Sequence, residues 1–134
     1  MGLRAVPDTG PETEVHLRSQ IAADLAEAVP VLAFSSEIAE IVDSCLADDT
    51  NDWLVLVDSQ DHPVRLVERA ALLRGEPFEH RVSVLPTDAT TQACAQQAGD
   101  RSRVERLRPL ACCDNDGRFR GLIRVERLLD ALAS

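Results

Sequence analysis

The stretch LACCDNDGRFRGLIRVERLLDAL, Leu110 to Leu132, decides the fold. An apolar run, LACC, reads as a buried strand, and DNDG supplies the Asp, Asn and Gly that a tight turn needs. RFRGLI reads as a returning strand, and VERLLDALA as a short amphipathic helix. The same design stands at Leu54 to Leu73, LVLVDSQDHPVRLVERAALL, in different letters. At an offset of 56, Asp58 falls on Asp114, Leu66 on Leu122, Val67 on Ile123, and Leu72-Leu73 on Leu128-Leu129. Two leucine pairs can coincide by chance; two in register with a turn aspartate point to an internal repeat.

The repeat extends upstream. VLAFSSEIAEIVDSCLADD starts extended and turns helical at Ser35-Ser36, an N-cap signal with Glu37 and Glu40 in the first turns. Ile38, Ile41, Val42, Cys45 and Leu46 form the expected buried stripe. In the second copy Arg81 to Leu85 is extended, and Pro86-Thr87-Asp88 opens a helix through about Ala98, with Thr87 as its cap and Ala89, Ala93 and Gln96 or Gln97 on its face. Ser36 on Thr87 and Glu37 on Asp88 give an offset of 51 here, which places five extra residues in the arginine-rich connection from Gly99 to Arg108. Leu17, Ile21, Leu25 and Ala28 predict a helix from about Glu14 that Pro30 ends. Residues 1–13 read as a flexible tail, 14–78 as the first unit and 79–134 as the second. The expected fold class is α/β (α+β): two β-α-β-β-α units with pseudo-twofold symmetry. A unit of about 55 residues buries little alone, so two copies packing sheet against sheet share a core and leave a cleft between them.

The net charge of −9 argues against a nucleic-acid partner, since phosphate contacts come from basic surface. Its distribution is uneven: residues 1–62 hold two basic against 13 acidic residues, and residues 63–134 hold 12 arginines against 10 acids. No apolar run reaches the roughly 20 residues of a membrane span, and the opening residues lack a basic segment followed by an apolar one, so the expectation is a cytoplasmic protein. Cys45, Cys94, Cys112 and Cys113 then read as reduced, buried thiols; Cys112 and Cys113, adjacent on a strand, should face opposite layers.

The two copies resemble tandem cystathionine-beta-synthase (CBS) domains, the pair called a Bateman module. The likeness spans about Val15 to Ala133 and is carried most strongly by VLVDSQDHPVRLVERAALL and CCDNDGRFRGLIRVERLLDAL. It implies a non-catalytic regulatory module that binds AMP, ATP or S-adenosylmethionine between the copies, forms a homodimer and acts on a regulated partner protein. In that family the second hairpin strand leads into Gly-apolar-x-Thr/Ser-x-x-Asp, whose hydroxyl meets phosphate and whose carboxylate holds the ribose. Here Arg124 and Arg127 stand at those positions in the second copy, and Glu68 and Ala71 in the first. Arginine can only donate and alanine does neither, so the ribose carboxylate is missing from both copies. Arg124 and Arg127 at a helix start suit a phosphate instead. With Glu68, and with Thr87 and Asp88 at the opening of the other helix, they form the candidate ligand set. The alternative is an interaction module that keeps this fold and has lost its ligand.

No catalytic constellation can be assembled. His16, His62 and His80 have no nucleophile beside them in sequence, Ser36 reads as a cap, and there is no Gly-rich phosphate loop, H-E-x-x-H, G-x-S-x-G or paired metal-ligand spacing. DSQD and DNDG lack the glutamate that would close a calcium loop, and read as hairpin turns.

Overall fold

The computed structural model describes residues 20–133; the expected tail, Leu17 and His16 lie outside them. The elements run α1 (Ala22–Leu25), β1 (Val31–Ala33), α2 (Ile38–Ala47), β2 (Trp53–Val57), β3 (Pro63–Glu68), α3 (Arg69–Leu73) and β4 (Glu79–His80). They continue with β5 (Val84–Pro86), α4 (Thr91–Gly99), β6 (Leu110–Cys113), β7 (Phe119–Ile123) and α5 (Val125–Ala133). One sheet has the order β1-β2-β3-β4, the other β5-β6-β7, with the first pair of each parallel and the rest antiparallel.

The duplication is exact across both hairpins. Leu54 pairs with Val67 and Leu110 with Ile123, and each ladder shifts register at the same place, Leu56/Val57 and Cys112/Cys113. The turns are copies as well. Asp58 Oδ1 accepts from the N–H groups of Gln60 (2.8 Å) and His62 (2.9 Å), and Asp114 Oδ1 from those of Asp116 (2.9 Å) and Arg118 (3.0 Å). These side-chain bonds mimic a backbone turn, which is why aspartate stands at both positions.

Period-2 alternation sorts the strand residues into three layers. Leu54, Leu56 and Val67 face Ile41 and Cys45 of α2. Leu110, Cys112 and Ile123 face Cys94 and Ala98 of α4 and Leu128 of α5. Between the sheets lie Val55, Val57, Leu66, Ala111 and Leu122, the shared core that makes two small units one folded body. WLVLV is thus covered on both faces, and Cys112 and Cys113 are both buried. The two hairpin turns also meet: the Phe119 N–H donates to Asp61 O (2.9 Å), and His62 Nε2–H to Asp116 O (2.9 Å).

Several local expectations are corrected. Among the described residues the expected first helix keeps a single turn, Ala22–Leu25, because Ile21 and Ala26 are extended and the backbone of Glu27 bonds Leu122 in both directions (2.8 and 2.9 Å), which a helix through Pro30 would forbid. Ala22 and Leu25 consequently pack into the second sheet's helix-side core. The cap of α2 is Glu37, whose N–H donates to the Glu40 carboxylate at 2.9 Å, and Ile38 and Leu46 of the expected stripe stand 60% and 61% exposed. The extended segment of the second copy is Val84–Pro86, and its helix starts at Thr91, capped by Thr90, whose hydroxyl oxygen accepts from the Ala93 N–H at 3.0 Å. Cys94 and Ala98, not Ala93 or Gln96, fill its buried face. Caps Glu37 and Thr90 set the upstream offset at 53 rather than 51, so the arginine-rich connection is three residues longer than its counterpart, not five.

Candidate functional site

A cleft of about 280 Å³ opens where the two copies meet, and its lining repeats across the pseudo-twofold axis. Trp53 stands opposite Pro109, Glu68 opposite Arg124 and Ala70 opposite Glu126, each pair at an offset of 56, with Asp52 and Leu107 completing the wall. Strand ends place these groups. Trp53 and Pro109 sit at the mouths of the central strands β2 and β6, and Glu68 and Arg124 occupy the junctions between β3 and α3 and between β7 and α5.

Both junction residues are already engaged. Arg124 Nε and Nη2 donate to the two oxygens of Glu27 at 2.8 and 3.0 Å, a fork-to-fork pair, and Arg127 Nη1 stands 3.8 Å from the same carboxylate. Glu68 Oε1 lies 3.0 Å from His80 Nε2, with the His80 ring edge-on to Trp53. Glu27 and His80 are themselves equivalent at the upstream offset of 53: each belongs to the segment that pairs with the hairpin's outer strand, Glu27 on Leu122 and His80 on Leu66. The same contact is therefore made twice with its polarity reversed, arginine at the junction in one copy and a carboxylate in the other.

The Arg124 hydrogen bond, reinforced by the charges of Arg124 and Arg127 and opposed by partial burial, holds the Glu27 carboxyl below the usual carboxylate range. A carboxylate depressed on folding contributes stability that is complete above its unfolded value near 4.5 and is lost as pH falls through the folded value. Arg124→Ala is expected to flatten the pH dependence of unfolding free energy below that point. Denaturant titrations of both proteins from about pH 3 to 7 measure it, and identical slopes would refute the coupling.

Of the sequence-predicted residues, the fold brings Glu68 and Arg124 to one cleft and Arg127 to the back of the Glu27 pair. Thr87 and Asp88 are elsewhere, in the turn after β5; the Thr87 N–H donates to Cys113 O (3.0 Å), and its carbonyl accepts from the Ala23 N–H (3.0 Å). Trp53, Asp52, Glu27 and His80 escaped sequence reasoning, although extending the repeat upstream at 53 would have paired the last two. The cysteines are free and buried, with Cys113 pushed up to about 11 by burial and by Cys112 and Asp114, which is the opposite of an activated thiol. Among the described residues no cluster of His, Cys, Asp and Glu could hold a metal, and no helix is long and apolar enough to cross a membrane.

No protein-family model and no curated protein matches the chain. Solved structures do. A CBS domain-containing protein of unknown function from Bacillus anthracis superposes with a TM-score of 0.69 at 13% identity, over 90% of this chain and 97% of that one. A second, from Kribbella flavida, gives 0.65 at 20% identity, over 86% and 99%. The fold is that of a CBS-domain pair. The CBS domain of a bacterial CNNM/CorC family Mg2+ transporter in complex with ATP gives 0.67 at 13% identity, over 92% and 94%. On this CBS scaffold Arg124 and Glu68 stand at the strand-to-helix junctions of the two copies, and each is held by a partner from its own fold.

Proposed function

We propose that the chain is a non-catalytic regulatory module whose ligand, an adenosine-containing nucleotide, occupies the cleft between the two copies. The observation that carries the reading is the cleft itself. Residues from both copies line it in equivalent pairs, so a bound molecule contacts both and stiffens their packing. Trp53 offers a flat apolar face for a base, and the first contact open to phosphate is Arg124 once it exchanges Glu27. That a CBS domain of a CNNM/CorC family transporter has been solved with ATP supports the ligand class.

Thermal-shift titration with AMP, ATP and S-adenosylmethionine tests it. A ligand at 100 times its Kd adds about 2.7 kcal/mol, a clear rise in Tm for a domain this small. The fluorescence of Trp53, the sole tryptophan, reports whether the ligand enters this cleft. No shift at millimolar concentration would end the nucleotide reading.

A second reading is favoured by the engaged junctions. With Arg124 committed to Glu27 and Glu68 to His80, and with Ala71 and Arg127 standing where the family carries its ribose aspartate, the pair serves as an interaction module that associates as a homodimer. The exposed apolar residues on its helices, among them Ile38, Leu46, Leu129 and Leu132, supply the contact surface.

A further inference from the structure

The two copies differ most in the connection before the central strand, and that difference is organised. In the second copy it is three residues longer and folds into a tight turn, with the N–H groups of Glu105 and Arg106 both donating to Ser102 O at 3.0 Å. Arg101 staples it from beneath: Nη2 donates to Arg106 O (3.0 Å) and Arg108 O (2.6 Å). A half-buried guanidinium spent on backbone carbonyls fixes a turn that would otherwise be floppy. The turn then displays Val104, between Arg103 and Glu105, and Leu107, between Arg106 and Arg108, 74% and 79% exposed. No large hydrophobic side chain among the described residues is more exposed than these two.

The complementary surface is on α2. Ile38, Val42 and Leu46 recur every four residues along one face, with Ile38 and Leu46 uncovered, flanked by Asp43 and, just past the helix end, by Asp49. One surface is apolar with guanidinium flanks, the other apolar with carboxylate flanks.

We propose that the 101–108 turn of one chain docks on α2 of a second copy, the two chains lying head to tail so that both contacts form at once. The opposite arrangement, α2 against α2, sets Asp43 and Asp49 against their own duplicates in a chain whose first 62 residues already carry 13 acids. Twofold closure makes the contact isologous and finite. The proposal rests on the homodimer reading and adds its orientation and its residues.

The test is charge reversal in the full chain, read by sedimentation equilibrium. Arg103→Glu/Arg106→Glu and Asp43→Arg/Asp49→Arg each turn attraction into repulsion at both contacts, and each is expected to weaken self-association at least about tenfold. All four side chains are exposed, and circular dichroism checks that each variant folds. Mixing the two variants is decisive: in the mixed dimer one contact has both signs reversed and the other is native, so the equimolar mixture regains wild-type association. A wild-type chain that stays monomeric at every concentration overturns the homodimer reading along with the docking. A wild-type dimer that ignores the reversals, or variants that stay apart on mixing, overturns the head-to-tail docking alone.

Discussion

Gly121→Ala is expected to destabilise the protein by about 3 kcal/mol, a large effect for a single methyl group. Gly121 adopts φ +155°, a region that side chains avoid, and a Cβ placed there meets Glu27 O at 2.8 Å and the Ala26 Cβ at 3.1 Å. The obstruction is backbone, and it cannot retreat without cost. Glu27 exchanges both hydrogen bonds with Leu122 next door, so moving it away breaks that bridge, loosens Arg124 and lifts Ala22 and Leu25 from the core behind. The equivalent position in the first copy is Arg65, whose side chain projects outward to lie 5.6 Å over the Phe34 ring. Urea denaturation with an unchanged m-value measures the loss; a change under about 1 kcal/mol would show that the segment slides freely.

The second large effect is expected at the layer between the sheets. Leu66 and Leu122 are equivalent under the repeat, both 1% exposed, and belong to one cluster with Val55, Val57 and Ala111. Each truncation to alanine removes buried apolar contacts and leaves a cavity, costing about 2 to 5 kcal/mol. Because the two side chains share that cluster, the double variant should depart from the sum of the singles by about 0.5 kcal/mol or more. A double-mutant cycle decides. Strict additivity would mean that the two halves are stabilised independently, against the single shared layer seen here. A domain of this size holds roughly 5 to 15 kcal/mol in total, so either variant leaves little margin.

The hairpins were legible in the sequence because their determinants are local. Asp58 and Asp114 close turns by bonding N–H groups two and four residues on, and alternation alone sorts Leu66 from Val67. Helix openings were read less well. Thr87 looks like a cap, but its N–H and carbonyl are taken by Cys113 and Ala23, from parts of the chain far away in sequence, and the helix waits until Thr90. The stripe on α2 shows the same limit: periodicity marks Ile38 and Leu46 as apolar without saying that only Ile41 and Cys45 have a sheet to face. For the site, the missing carboxylates and the arginines at 124 and 127 were visible as letters. Their engagement with Glu27 was not, since the pair closes over 97 residues and no local pattern encodes it.

The crossing of the earliest segment onto the later sheet bears on how the chain acquires its structure. During synthesis Ala22, Leu25 and Glu27 leave the ribosome long before Leu110 and Leu122, the residues they cover, so the earlier segment must wait for the later one. The first sheet takes its outer strand from β4, which in turn precedes the second sheet. Neither half can finish alone, and the closing step joins Glu27 to Leu122 across most of the two repeats. High contact order of this kind slows folding and holds it back until Leu122 has been made, so a chain interrupted before Gly121 exposes both inner faces at once.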